Sequence, residues 1–275
     1  MVGWKDAAEI GKWAWDNRAG LKQAWGAFQR WLRRSRVLVI GAGGTGKSTL
    51  ARMLAGQFDW LRDSPWHYAE DVGTTRFRLK ADPAAEIVVV PGQEHRRHTS
   101  WSGVGKDIAA GHYHGVILVS AFGYHSVDRG SYKHHRLYDA DRGKDAFLRT
   151  YLEAGRQDEI GCLKHLSPFI KECPRRLWLV SAITKQDLWR TDESGVEAWY
   201  REGEYGKLIG DVARAGPKTF RHEPHLLSLV IGNFVTPNGE TLAKNVQGYD
   251  HRAQIESVRR LFEIIDGLRQ WGSEK

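Results

Sequence analysis

The chain has 275 residues, a length that suits one α/β domain with one or two additions better than two large domains. Hydrophobic residues make up 41% of it, which is enough for a sizeable core and excludes a wholly disordered chain. The net charge of +8 leaves nucleic acid, an anionic membrane surface and an acidic ligand as candidate partners. With two cysteines, no membrane-spanning apolar run and no secretory signal, we expect a cytoplasmic protein.

Residues 1–35 form a basic, tryptophan-rich segment with the pattern of an amphipathic helix. Ile10, Trp13, Trp25 and Phe28 fall on one side of a helical wheel, and the lysines and arginines lie mostly elsewhere. Such a helix can lie peripherally in a membrane interface, dock in a groove of a partner, or pack on its own domain, and the sequence leaves these three open. Nucleic-acid binding is not expected, because the basic residues form no known reading module.

The rest of the chain alternates short apolar runs with helical stretches. Strands are predicted at 36–40, 75–80, 86–92, 115–122, 176–185 and 225–235, and helices at 47–57, 145–157 and 250–271. Residues 81–85, "ADPAA", indicate a turn, and residues 123–175 indicate an insertion. Buried strands separated by helices predict an α/β fold with a mostly parallel, twisted sheet and helices on both faces.

The segment "GAGGTGKS" stands between the first predicted strand and helix and fits the pattern G-x-x-x-x-G-K-[ST] in full. Its glycines allow the backbone to wrap a phosphate chain with N–H groups directed inward, and the helix that follows presents its positive end to the same anion. Lys47 can reach the outer phosphates, and the hydroxyl of Ser48 can bind Mg²⁺. The predicted phosphate-binding residues are Gly41, Gly43, Gly44, Thr45, Gly46, Lys47, Ser48 and Thr49.

A second motif, "TKQD", follows the strand "LWLVSAI" and predicts which base is bound. The carboxylate of Asp187 can accept hydrogen bonds from N1–H and the 2-amino group of guanine, whereas adenine offers neither donor at these positions. A buried polar group left unpaired costs about 1–3 kcal/mol, so this carboxylate would discriminate strongly. Lys185 would lie along the base and brace the phosphate loop. Thr184, Lys185 and Asp187 are therefore the predicted base-binding residues.

With these motifs in this order, the chain resembles the Ras-like small GTPase superfamily of P-loop NTPases. "VVVPGQE", residues 88–94, is similar to the switch II motif Asp-x-x-Gly-Gln, with Val89 in place of the Mg²⁺-linked aspartate, and this form resembles the bacterial polarity-type small GTPases. The resemblance covers about residues 36–122 and 176–190. It implies a small GTPase-like domain over residues 36–275 that binds GTP or GDP with Mg²⁺ and contacts a protein effector or activating protein.

The same resemblance assigns roles in the switch loops. Thr75, or less favourably Thr74, is expected to bind Mg²⁺ and the γ-phosphate. Gly92 would donate its N–H to that phosphate, and Gln93 would orient the attacking water. The implied catalytic residues are Gln93, Lys47 and Thr75, and the implied metal ligands are Ser48 and Thr75.

Three departures accompany this resemblance. Asp71 is a candidate to replace the carboxylate that Val89 lacks. Arg96 and Arg97 could supply an arginine finger or could be solvated surface. No clear Ser-Ala-Lys motif follows the last strand, and "IGNF", residues 231–234, stands where a base-contacting loop is expected.

The sequence thus predicts a GTP-binding and GTP-hydrolysing molecular switch that is slow without an activating partner. Two alternatives stay open: a nucleotide-dependent binding module with little hydrolysis, because Val89 weakens metal binding, and a P-loop ATPase. The histidine-rich stretches at 95–98, 112–114 and 133–135 lack the cysteine or carboxylate spacing of a zinc site, so surface positions are expected for them.

Overall fold

The computed structural model describes residues 35–56, 73–79, 82–216 and 219–273. The strands of this part are β1 (Arg36–Gly41), β2 (Thr75–Leu79), β3 (Asp82–Val89), β4 (Gly115–Ser120), β5 (Leu177–Ile183), β6 (Phe220–Leu226), β7 (Phe234–Val235) and β8 (Thr241–Ala243). The helices are α1 (Lys47–Leu54), α2 (Glu94–Ala109), α3 (Gly143–Glu172), α4 (Gln186–Trp189), α5 (Glu193–Arg201), α6 (Glu204–Ala215) and α7 (His251–Ser273). The N-terminal segment, with its three alternatives, lies outside the described residues apart from Ser35.

Six strands form one sheet in the order β2-β3-β1-β4-β5-β6, and β7 and β8 form a separate two-stranded sheet. Every neighbouring pair in the large sheet is parallel except β2 with β3. The predicted α/β fold with a mostly parallel sheet between helices is confirmed. Because β1, β3, β4 and β5 run in one direction, the loops that follow them meet at one edge of the sheet.

The sheet is buried on both faces, which explains its continuous apolar strands. Along β1, Val37 and Val39 point into one apolar cluster with residues of α1 and α7, whereas Leu38 and Ile40 point into the other, with residues of α2, α3, α5 and α6. Among the described residues, no helix is both long enough and apolar enough to cross a membrane.

The structure differs from the predicted boundaries in two places, at the turn between β2 and β3 and at the end of helix α3. The turn predicted at 81–85 is wrong for most of its length, because β3 begins at Asp82 and the β2–β3 ladder extends to the Leu79–Asp82 pair. A proline at the beginning of a strand is tolerated because its missing N–H interrupts little of the ladder. Helix α3 is 30 residues long and continues through Pro168, well past the predicted end at 157. Its buried Leu163, Leu166 and Ile170 hold the second half of the helix to the core.

The last strand of the large sheet lies earlier than predicted. It is Phe220–Leu226, whereas residues 227–233 leave the sheet and Phe234 and Val235 belong to the small β7–β8 sheet. Leu227 and Leu229 are buried, but they are buried in a loop. An apolar run has the same pattern in a strand and in a buried loop, so the sequence alone placed the strand about five residues too late. Helices α2, α4, α5 and α6 were not predicted.

Candidate functional site

The phosphate loop, residues 41–48, connects β1 to α1 as the sequence predicts. Gly44 and Gly46 have φ values of 72° and 99°, a left-handed conformation that glycine adopts without a steric penalty. A Cβ atom on Gly44 would also lie 2.5 Å from the backbone nitrogen of Ser126. The backbone of this loop can therefore be built only with glycine at these positions.

Lys47 places its charge against this loop. Its side chain is buried, and Nζ donates a hydrogen bond to the carbonyl oxygen of Ala42 at 2.7 Å. The hydroxyl of Thr45 donates to the same oxygen at 3.0 Å. An ammonium group held beside the N-terminus of α1, with main-chain N–H groups around it, is suited to an anion such as a phosphate chain.

The end of β3 brings the predicted switch II residues to the same place. A Cβ atom on Gly92 would collide with the carbonyl oxygen of Gly41 and with Nζ of Lys47, so Gly92 lies directly against the phosphate loop. Gln93 follows it, and its Cα lies 3.8 Å from where a Cβ on Gly43 would be. Oε1 of Gln93 is buried and has no hydrogen-bond partner among the residues that the structure describes. A buried oxygen without a partner is costly, and the Cγ of this side chain lies 3.8 Å from where a Cβ on Gly43 would be, beside the glycine loop.

The predicted metal ligands lie at this edge of the sheet. Thr75 pairs with Val89 in the β2–β3 ladder and is exposed, and Ser48 is half-buried in the first turn of α1. Val89 is buried in the apolar cluster that includes Leu50. Within the described ranges, no group of three histidine, cysteine or acidic residues is placed to hold a metal ion. Two hydroxyls fit Mg²⁺ only when the phosphates of a ligand supply further oxygens.

Asp71 lies outside the described residues, and so do the side chains of Arg96 and Arg97.

The "TKQD" motif, which is predicted to bind the base, is joined to the glycine loop by a direct hydrogen bond. The hydroxyl of Thr184, at the end of β5, donates to the carbonyl oxygens of Thr45 at 2.7 Å and of Ser120 at 3.0 Å. A side chain of the "TKQD" motif therefore touches the main chain of the glycine loop across 139 positions of sequence. Sequence spacing alone could not establish this contact.

Asp187 is buried, and burial raises the pKa of its carboxyl group. Oδ1 accepts a hydrogen bond from the hydroxyl of Ser228, and Oδ2 accepts one from the backbone N–H of Gly232 at 3.0 Å. A carboxylate has about four acceptor positions, and these two donors do not fill them. Gly232 belongs to "IGNF", so this segment contacts the predicted base-reading residue, and its own contact with a base stays a prediction.

The contact that Lys185 makes differs from the predicted one. It has a φ of 62°, and Nζ donates to the carbonyl oxygen of Tyr124, in the loop after β4. The ring of Phe234 lies 5.5 Å from the same nitrogen, and burial lowers the pKa of Lys185 to about 8. Lys185 therefore braces the loop after β4, and it is Ser126 of that loop that contacts the phosphate loop.

Two residues of the site were missed in the sequence. Ser228 donates to Asp187, and a Cβ on Gly46 would lie 3.3 Å from Cδ1 of Leu229. Both follow β6, at the place where the sequence shows no Ser-Ala-Lys motif. The only sequence feature that marks Ser228 is a single serine within an apolar run, and that run was predicted to be part of a strand.

Comparisons with known proteins identify no family for this chain. No family model matches it, and no curated protein matches it.

Solved structures do resemble it at low identity. One is an ADP-ribosylation factor-like GTP-binding protein, the small COPII coat GTPase SAR1 from Encephalitozoon cuniculi in complex with GDP, with 12% identity, a TM-score of 0.39, and coverage of 95% of this chain and 97% of that one. The mammalian SRP receptor has 14% identity and a TM-score of 0.40, over 85% of this chain and 99% of that one. The signal recognition particle receptor SRb-GDP from Chaetomium thermophilum has 14% identity and a TM-score of 0.41, over 85% and 96%.

None of these three is a bacterial polarity-type GTPase, so that likeness of switch II stays a prediction.

Proposed function

We propose that this chain binds guanine nucleotides at the edge of the sheet where β1, β3 and β5 end, and that it hydrolyses GTP slowly as a molecular switch of the small GTPase type. The observation that carries the proposal is the hydrogen bond from Thr184 to Thr45, because it joins a phosphate-binding loop to a base-reading motif.

At the phosphate end, the chain supplies positive charge and oriented N–H groups. Lys47 would bind the outer phosphates, and the glycine loop and the N-terminus of α1 would surround the rest of the phosphate chain. Mg²⁺, when bound, neutralises charge on the phosphate oxygens. Ser48 and Thr75 would hold it through their hydroxyls.

At the base end, the carboxylate of Asp187 would accept two hydrogen bonds from guanine. Ser228 and Gly232 hold this carboxylate in one orientation, so little side-chain freedom is lost when the base binds. Adenine has no donor at either position and would leave the buried carboxylate without these partners.

For hydrolysis, Gln93 would orient a water with its unpaired Oε1, and Gly92 would leave room for the γ-phosphate beside Lys47. Intrinsic turnover by this arrangement is slow, and an arginine from an activating protein can add about 10³–10⁵ in rate. Loops ordered by the γ-phosphate would relax after hydrolysis and release a partner protein. Contact of residues 1–35 with a membrane or a partner is a further part of this proposal.

One alternative has an observation in its favour. Val89 is buried among apolar residues at the position where the resemblance implies a metal-linked carboxylate. A chain with weakened metal use could bind nucleotide and a partner while hydrolysing very little.

The test of the binding function is competition of labelled GDP by GTP and by ATP on the wild type and on Asp187→Asn. We expect GTP to compete and ATP to fail in the wild type. In the variant, the amide cannot accept both guanine donors, so the Kd for GTP should rise on the order of 100-fold. Asp192→Asn is the matched control, because Asp192 is an exposed acidic residue at a helix end nearby. Equal competition by ATP and GTP would contradict the proposal and favour an ATPase.

The test of hydrolysis is single-turnover cleavage of bound GTP. Gln93→Ala should lower the rate about 10- to 100-fold while GTP affinity stays close to that of the wild type, since Gln93 acts on the water rather than on the nucleotide. Gln157→Ala, an exposed glutamine on α3, is the control. A wild type that binds GTP but cleaves none would favour the binding module, and a variant as fast as the wild type would contradict the role of Gln93.

A further inference from the structure

A buried glutamate on α3, Glu159, is joined to the loop that follows β4. It is 1% exposed, and Oε1 accepts hydrogen bonds from the backbone N–H groups of Ala121 at 2.8 Å and Gly123 at 3.1 Å. Nε2 of His125 lies 3.0 Å from the same oxygen and donates to it, because a carboxylate is an acceptor only. The hydroxyl of Tyr200 donates to Oε2 at 2.6 Å. Three of these four donors belong to residues 121–126, here called the β4 loop.

The β4 loop is held in a conformation that needs such support. Phe122 has a φ of 50°, which is unfavourable for a residue with a bulky side chain. The backbone of the loop also packs directly against the backbone of α3, because a Cβ atom on Gly155 would lie 2.6 Å from the carbonyl oxygen of Gly123. The N–H of Phe122 donates to the hydroxyl of Tyr200 at 3.1 Å, so Glu159 and Tyr200 together satisfy three consecutive N–H groups of the loop.

The other side of the β4 loop contacts the nucleotide site at two points. The backbone N–H of Ser126 donates to the carbonyl oxygen of Gly44 at 3.1 Å, and its hydroxyl lies 3.3 Å from the same oxygen. The carbonyl of Tyr124 accepts the hydrogen bond from Lys185. In a trans peptide, C=O and the following N–H point in opposite directions, so holding the carbonyl of Gly44 directs the N–H of Thr45 away from the β4 loop.

We propose that Glu159 is a positioning residue for the nucleotide site, acting through the β4 loop on the peptide between Gly44 and Thr45 and on the ammonium group of Lys185. Glu159 touches no nucleotide group itself. Its four hydrogen bonds fix the loop, and the loop fixes one N–H of the phosphate cradle and the residue beside the base. The expected effect on nucleotide binding rests on the proposed function. The hydrogen-bonded link from Glu159 to the phosphate loop is present in the chain without a ligand.

The experiment compares Glu159→Gln and Tyr200→Phe with Ser181→Ala. Tyr200→Phe is the milder variant, because it removes the hydroxyl and keeps the ring. Ser181→Ala is the matched control: its hydroxyl is buried and bonded to Tyr205 at 2.6 Å and to His222 at 2.9 Å, and the β4 loop is not among these partners. Thermal unfolding of all three variants measures how much stability each loses, and we expect comparable losses.

The first readout is hydrogen exchange of the Ser126 amide in the nucleotide-free protein. Glu159→Gln and Tyr200→Phe should raise its rate about tenfold, and Ser181→Ala should leave it unchanged. The second is release of a fluorescent GDP, which should be about tenfold faster in the two variants. In a double variant with Ser126→Ala, the effects on release should be less than additive, because both substitutions act on one carbonyl.

Unchanged exchange at Ser126 in both variants, or equal acceleration by Ser181→Ala, would overturn the positioning role of Glu159. A wild type that binds no guanine nucleotide would instead remove the proposed function, and the exchange measurement would still decide the link to the phosphate loop. Faster exchange with unchanged GDP release, in a wild type that binds GDP, would show a structural role only and would also overturn the inference.

Discussion

Lys47→Ala should abolish binding of guanine nucleotides, raising Kd on the order of 100-fold or more, because it removes the buried charge that is proposed to contact the phosphates. Any weak binding of ATP by the wild type should be lost as well, since Lys47 would act on the phosphates and Asp187 on the base. Isothermal titration with GDP, GTP and ATP measures it. This pattern differs from that of Asp187→Asn, which should affect guanine nucleotides alone.

The control for Lys47→Ala is Lys164→Ala. This substitution also removes an ammonium group. Lys164 lies in an exposed ion pair with Glu204 on α6, and an exposed ion pair contributes little to stability. The variant should bind GDP as the wild type does. If Lys47→Ala binds GDP with unchanged affinity, the glycine loop is not a phosphate site and the proposed function is wrong at its first step.

Gly92→Ala should weaken GTP binding on the order of 100-fold while the chain still folds. The added methyl group would collide with Nζ of Lys47 and with the carbonyl oxygen of Gly41, so the phosphate loop or the end of β3 must shift. The affinity for GDP should fall less than that for GTP, because Gly92 is proposed to lie beside the γ-phosphate. Parallel titrations with GDP and GTP measure the difference.

The matched control for Gly92→Ala is Gly103→Ala. Gly103 lies within α2, and a Cβ there meets nothing within 4 Å. Replacing a helical glycine with alanine should stabilise the chain by up to about 1 kcal/mol and leave GTP affinity unchanged. If Gly92→Ala behaves like Gly103→Ala in both titrations, the close approach of Gly92 to Lys47 has no role in binding.

The parts of the site that the sequence predicted depend on neighbours along the chain. A glycine pattern between a strand and a helix determines its own backbone, so the place of Lys47 beside the loop follows from local spacing. The edge strand β2, which brings Thr75 opposite Val89, also follows from a local alternation of residues.

The parts that were missed depend on partners far along the chain. Ser228 was hidden because an apolar run after residue 225 was interpreted as a strand, and only the packing of Leu229 beside Gly46 shows that it is a loop. Glu159 gives no signal at all, because a buried glutamate and a solvated one are the same letter in a helix. The predicted contact of Lys185 with the phosphate loop is replaced by one with Tyr124.

The sequence by itself determined the mostly parallel α/β fold, the phosphate loop and the motif that follows β5, because each rests on periodicity or on residues a few positions apart. Only the tertiary structure decided how these parts are joined: Thr184 to Thr45, Ser228 to Asp187, and Glu159 through the β4 loop to Gly44. The physical reason is that a hydrogen bond between distant segments depends on where the sheet brings their ends, and parallel strands bring them to one edge whatever their separation in the chain.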